Sequence, residues 1–255
     1  MFKIAKFITA DLLKNKVMLL YLVFLLAVCF GLFSLQGQGD KALTGILNVS
    51  LLVTPMICLI FATIYFYNMY EFMMLMHAQP IKRKTLFLAL YLSLSIVLTF
   101  VYLLGAGIPL LIMNASIAGL FMIVGTTFLN FIFVALALWV AVWTKDKSKG
   151  MGFSLLIWVY FVLLFDGIIL LLMYNFSDYP IEKLVLYISF LNPVDLMRIL
   201  VLMQTEAAAL MGYSGAIFQK VFTENWGISI ILLVMVLWSI IPLGLSLKAY
   251  NKKDL

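Results

Sequence analysis

One carboxylate stands inside a long apolar run. Asp166, in Phe165-Asp166-Gly167, has LLF before it and IILLL after it. An ionisable group in such surroundings must be paired, neutralised or put to use. Counted from Met151, it lies past the middle of its run. Two roles suit it. It pairs with a basic group such as Arg198 or caps loop backbone, or it handles a substrate or a proton. A second set follows in Asn192-Pro193-Val194-Asp195-Leu196-Met197-Arg198. Asn192 is a helix N-cap, Pro193 suits the first helical position, and Asp195 sits where the helix dipole favours an anion. Arg198 comes three residues after Asp195 and can pair with it. A third set is Met69, Met73 and Met76, at i, i+4 and i+7, beside His77, the single histidine. Met73, Met76 and His77 could offer soft ligands to Cu(I). The plainer reading has the methionines packing and His77 making a polar contact or facing water.

Much familiar chemistry is missing. There is no GxxxxGK[ST] phosphate loop, so the chain does not bind ATP by that route. HExxH, a paired-carboxylate motif and a Ser/His/Asp set are all lacking, and so is a TVGYG filter. The two halves show no inverted repeat of the kind secondary transporters carry. An enzyme would have to rest on His77 or Asp166.

The elements that must position these residues are dictated by composition. Of 255 residues, 65% are hydrophobic and 11% charged, with a net charge of +6. A soluble domain of this size cannot hide that much apolar surface. The reading is an all-α integral membrane protein, with no nucleic-acid partner. Six runs reach the ~20 residues a helix needs to cross the hydrocarbon: 17–36, 45–67, 86–113, 117–143, 151–174 and 227–247. Backbone groups in lipid must bond within their own segment, which makes these helices. Barrel alternation is absent.

Thirteen of the seventeen basic residues fall at the two termini and in the loops after spans two and four. The positive-inside rule then makes both termini cytoplasmic. No cleavable signal peptide is apparent. Cys29 and Cys58, inside spans one and two, read as small buried hydrophobes.

Residues 1–16 suggest an interfacial helix. Ile4, Ile8 and Leu12 form one stripe, expected in the acyl boundary, with Lys3 and Lys14 opposite. In the loop 68–85, the methionines predict a short helix with an exposed, adaptable apolar face. Pro80 ends it and Lys82, Arg83 and Lys84 follow. Such a helix can lie in a groove of a soluble partner and pass force to it. The loop Thr144 to Gly150 reads as a solvated charged turn or a smaller partner contact. The segment 175–226 is too apolar for a disordered linker. It predicts a short apolar stretch around Leu184 to Leu191, then a helix from Asn192 through Leu210 with Gly212 as the stop. Met197, Leu200, Val201 and Gln204 would share one side. These outer helices either pack back on the bundle or face a partner.

This arrangement resembles the type-2 ABC transporter permeases over the whole chain. LMHAQPIKRKTLFLALYLS, Leu75 to Ser93, is similar to that family's coupling helix, Pro-containing turn, basic group and span start. LLFDGIILLL and FLNPVDLMRILVL are similar, more narrowly, to the permeases of ABC systems that mature nitrous oxide reductase with copper. The chain departs from the family in NMYEFMML, where Glu71 stands alone without the usual acidic cluster and glycine.

The resemblance implies two copies forming a membrane core in a bacterial inner membrane. Each copy seats a separate cytoplasmic ATPase, which carries the ATP and Mg; this chain holds no cofactor and catalyses nothing. Implied ATPase contacts are Met69, Glu71, Met73, Met76, His77, Lys82 and Arg83. Asn192, Pro193, Asp195 and Arg198 would serve a periplasmic β-helical partner or hold the outer loop. The work done would be delivery of copper, or sulfur, to the reductase. Alternatives are export of a peptide, lipid or antibiotic, an intramembrane enzyme, and a channel-like component.

Overall fold

The computed structural model describes residues 2–37, 39–77, 82–144, 146–176, 179, 182–205 and 225–252. These residues are almost entirely helical, and none is in a strand. In chain order the helices are α1 (Phe2–Leu13), α2 (Lys16–Gln36), α3 (Asp40–Asn68), α4 (Tyr70–His77), α5 (Arg83–Met113), α6 (Ile117–Trp143), α7 (Lys147–Asn175), α8 (Glu182–Ser189), α9 (Pro193–Leu202) and α10 (Asn225–Lys252). Six of them, α2, α3, α5, α6, α7 and α10, are long and apolar enough to cross a bilayer. The protein is a multi-pass membrane protein.

Most span helices begin earlier than their apolar runs. α3 starts at Asp40, α5 at Arg83 and α7 at Lys147. Polar residues fill the first turn because helix hydrogen bonding continues past the hydrocarbon edge. The charged loop 144–150 is therefore half helix. Thr144 caps α6, Lys149 pairs with Asp146 at 3.2 Å, and Lys147 donates to Asn68 at 2.9 Å.

Inside the bundle α3 and α6 are the most buried spans, and α5 follows them. α2, α7 and α10 keep most of their apolar side chains outward, as lipid-facing helices do. Polar side chains within the bundle bond to each other. Tyr21 meets Thr54 at 3.0 Å and Thr63 meets Ser154 at 2.7 Å. Asn130 accepts from the Cys58 thiol and donates to Thr99, both at 3.2 Å. Cys29 and Cys58 are both fully buried and free.

Two spans contain a turn of π-helix, at Leu103–Gly107 in α5 and Tyr160–Leu164 in α7. In the first, Gly105 lies against Leu25 of α2, where an added Cβ would come within 2.8 Å of the Leu25 Cβ. The second sits beneath α9.

Three sequence expectations require correction. The stripe of α1 does not lie in an acyl boundary: Ile8 and Leu12 are buried in the protein core, and α1 packs along α5. Ser93 of α5 donates to the Ala5 carbonyl at 3.1 Å, which anchors α1 to protein. The helix begun at Asn192 stops at Leu202, not Leu210. Gln204 and Thr205 bond back to Val201 and Leu202 by three-residue steps, and the Thr205 hydroxyl takes the Leu202 carbonyl at 2.8 Å. Leu210 and Gly212 lie outside the described residues. The third concerns the methionines of α4, described below.

Candidate functional site

The first candidate lies where α9 meets α7. Asn192 is extended, and its side-chain oxygen accepts from the Val194 amide at 2.9 Å, capping α9 as the sequence suggests. Its amide group donates to the Phe161 carbonyl of α7, also at 2.9 Å. Phe161 sits in the π turn, where the regular i to i−4 ladder is interrupted and a carbonyl is free for an outside donor. Trp238 of α10 closes the same corner. Its ring meets Phe161 edge-on at 5.5 Å, and its indole N–H donates to the Phe190 carbonyl at 3.2 Å.

One turn further along α9, Arg198 joins two carboxylates. Its guanidinium reaches Asp195 Oδ1 at 3.0 Å and Asp166 Oδ2 at 2.9 Å. Asp166 belongs to α7 and Asp195 to α9, so the planar fork ties the two helices together. Asp166 and Arg198 are about one-third exposed, whereas the Asp195 side chain is only 6% exposed. Asp195 Oδ2 is buried and has no hydrogen-bond partner among the described residues. The three side chains line a cavity of about 310 Å³ that they share with Ser189 of α8 and with Ile169 and Leu170 of α7.

Burial raises the pKa of Asp195 to about 7; the neighbouring Asp166 carboxylate adds to this, while Arg198 and Asn192 oppose it. Arg198 is lowered by burial, but the two carboxylates outweigh that and hold it above its ordinary value. The trio is a clamp that keeps its cation charged and makes one of its anions easy to neutralise.

The buried face of α9 explains why the clamp is rigid. Val194, Met197, Leu200 and Val201 all point into the core, against α6. Gln204 is half-buried. Gly125 of α6 makes the approach possible, since an added Cβ there would lie 2.8 Å from Met197 Cγ. Of the two outcomes open for the outer segment, α9 packs back on the bundle. Before it, α8 buries Val185 and Leu186 while Leu184 and Tyr187 are exposed.

The second candidate is α4, at the opposite end of the spans. Met73 is buried, and Met69 and Met76 pack partly against the core. Tyr250 of α10 donates to the Met73 sulfur at 3.7 Å, and its ring lies 4.8 Å from Phe87 of α5. The methionine stripe is thus the inward face, correcting the expectation that it is exposed. The reason is competition: α3 and Tyr250 of α10 offer surface to the same stripe. The outward face carries Glu71, Met74 and Leu75. Phe72 stacks on Phe7 of α1 at 5.7 Å, so α4 is braced by the first and last helices. Lys82 and Lys84 are exposed, and Arg83 opens α5 half-buried. Pro80 and the side chain of His77 lie outside the described residues. Met73 is packed against Tyr250, which disfavours the Cu(I) reading for that sulfur.

Sequence reasoning finds Asp166, Asn192, Asp195 and Arg198 and their proximity. It misses Phe161, whose contribution is a backbone carbonyl, and Gly125, whose only signal is a glycine interrupting an apolar span.

A family model described as "ABC-2 family transporter protein" matches residues 9–255. Over 225 residues the chain is 28% identical to the probable ABC transporter permease protein NosY of Pseudomonas aeruginosa, covering 80% of this chain and 82% of that protein. It is 27% identical over 138 residues to the protein of the same name from Stutzerimonas stutzeri, covering half of each.

Proposed function

Because the chain belongs to the ABC-2 family of transporter permeases, we propose that it transmits the work of a separate cytoplasmic ATPase to a task on the far side of the bilayer. Membership implies the ATPase partner. The finer reading is a homodimeric membrane core, in a bacterial inner membrane, that helps deliver copper or sulfur to nitrous oxide reductase. The 28% identity to the NosY permease of Pseudomonas aeruginosa over 225 residues supports it.

The observation that carries the transmitting role is the double attachment of α9 to α7, through Asn192 on the Phe161 carbonyl and Arg198 on Asp166. A span held at two points five residues apart cannot tilt or shift without carrying α9 with it. At the other end, α4 is held by Phe7 and Tyr250, so a push on α4 reaches α1 and α10. Rigid helices joined at both ends can pass a displacement without a polar path for cargo.

In this reading both termini, α4 and the basic loops are cytoplasmic, and α8 and α9 face the periplasm beside a partner of β-helical type. Glu71, Met74 and Leu75, with Lys82 and Arg83 nearby, are the ATPase contact. Met69, Met73 and Met76 support it from behind.

The test is deletion of the gene in a host that makes the reductase. Copper content of the secreted reductase should fall while its polypeptide is still exported, and the wild-type gene should restore it. Reductase with a full copper complement in the deletion strain excludes the maturation role. A cognate ATPase that does not copurify in mild detergent excludes the transmitting role.

A further inference from the structure

The cavity beside the clamp has chemistry that the clamp itself leaves unused. Two carboxylates surround one guanidinium, so with all three ionised the trio carries one uncompensated negative charge. Asp195 Oδ2 carries part of it, buried and without a donor among the described residues. A buried acceptor of this kind is costly unless something supplies a proton-bearing group. The cavity, at about 310 Å³, is larger than one water needs.

Its position indicates what enters. From Lys147 to Asp166 α7 rises about 29 Å at ~1.5 Å per residue, the thickness of one hydrocarbon core. Asp166 therefore lies toward the far end of the span from Lys147, with the apolar run of α7 continuing past it. Leu170, on the cavity wall, is 66% exposed, and Ile168 and Leu171 beside it also face outward. A site with a charged floor and an apolar, membrane-facing wall suits an amphiphile. Arg198 spends two of its five N–H donors on the carboxylates and is one-third exposed, so it can also meet a phosphate.

We propose that this cavity binds the head group of an aminophospholipid, its primary ammonium donating to Asp195 and Asp166 and its phosphate lying toward Arg198. A primary ammonium brings both the compensating charge and the N–H donor that Asp195 Oδ2 lacks. A quaternary ammonium brings the charge without the donor, and a phosphatidylglycerol head group brings hydroxyl donors without the compensating charge. This assignment requires only that α7 spans the bilayer.

The experiment is native mass spectrometry and thermal unfolding of the purified full-length chain in detergent. Phosphatidylethanolamine, phosphatidylcholine and phosphatidylglycerol of matched acyl chains are added in parallel. Phosphatidylethanolamine should bind about tenfold more tightly than either of the others, the factor a charge-assisted hydrogen bond supplies, and should raise the Tm most. Asp195→Asn should erase the preference. Leu170→Trp, at an exposed position, should reduce it by filling the cavity mouth, and serves if Asp195→Asn does not fold. Equal binding of the three lipids by the wild type overturns the proposal. So does a preference that survives both variants. A Tm that responds to pH but to none of the lipids also overturns it and leaves a shared proton as the occupant.

Discussion

The side-chain amide of Asn192 donates to the main-chain carbonyl of Phe161 at 2.9 Å, across two helices and at the one place where α7 winds as a π turn. The same side chain caps α9 through its oxygen. One residue therefore satisfies an orphan donor of one helix and a main-chain acceptor in the π turn of another. Asn192→Ala should lose both. A lost cap costs about 1 kcal/mol, and a stranded buried carbonyl costs about 1–3 kcal/mol. Asn192→Ser keeps the cap and loses only the bond to Phe161. In detergent, thermal unfolding should rank wild type above Asn192→Ser above Asn192→Ala. Equal stability of the two variants would show that the Phe161 bond contributes nothing.

Arg198 is the cation shared by two carboxylates, so its removal and theirs are not symmetrical. Asp166→Asn leaves Arg198 paired with Asp195 and should cost about 1 kcal/mol or less, since the pair is partly exposed. Arg198→Met leaves Asp195 buried with no counter-charge and should cost about 3 kcal/mol. Adding Asp195→Asn to Arg198→Met should recover part of that loss, with a coupling above ~0.5 kcal/mol. A double-mutant cycle on unfolding midpoints measures it; strict additivity would mean the ion pair is not formed.

The raised pKa of Asp195 has a signed consequence. In the unfolded chain the carboxyl ionises near 4, in the folded protein near 7. Between these values the folded state holds more protons, so this group's contribution to stability falls as pH rises from about 4 to about 7 and is level above that. The difference in Tm between wild type and Asp195→Asn should therefore shift against the wild type across this window. A difference that does not change with pH contradicts the raised value.

How much of this was legible in sequence follows the range of each interaction. The spans show because lipid demands unbroken apolar runs, and the Asp195 to Arg198 pair shows because helix spacing is fixed once Asn192 and Pro193 start the helix. Asp166 with Arg198 was one of the roles open to it, beside capping loop backbone and handling a substrate or a proton. The Phe161 contact was invisible, since any residue type has a carbonyl and only the π turn frees this one. The α4 stripe was read correctly as one face and assigned to the wrong side. Periodicity tells which residues point together, while the neighbours decide which way that is.

Gly125 should be the position on α6 least tolerant of a side chain. Its Cβ would fall 2.8 Å from Met197 Cγ, part of the chain rather than its free end. Gly125→Leu should cost about 1–3 kcal/mol by overpacking, and Met197→Ala should restore part of it. Both are read from unfolding midpoints. An unperturbed Gly125→Leu would mean that α9 does not seat on α6 as described.

The two faces of α4 make opposite predictions. Leu75 is exposed and Met73 is buried under Tyr250. Leu75→Asp should leave Tm and gel-filtration profile unchanged while abolishing copurification of the ATPase, because a charge is set into the apolar contact. Met73→Asp should lower Tm by several degrees whether or not the ATPase is present, since it buries a carboxylate beside Phe87 and Tyr250. Loss of the ATPase in both variants with an unchanged Tm in each would assign the methionine face to the partner after all. A Leu75→Asp chain that still retains the ATPase would move the contact away from α4 altogether, toward the exposed Lys82 and Lys84.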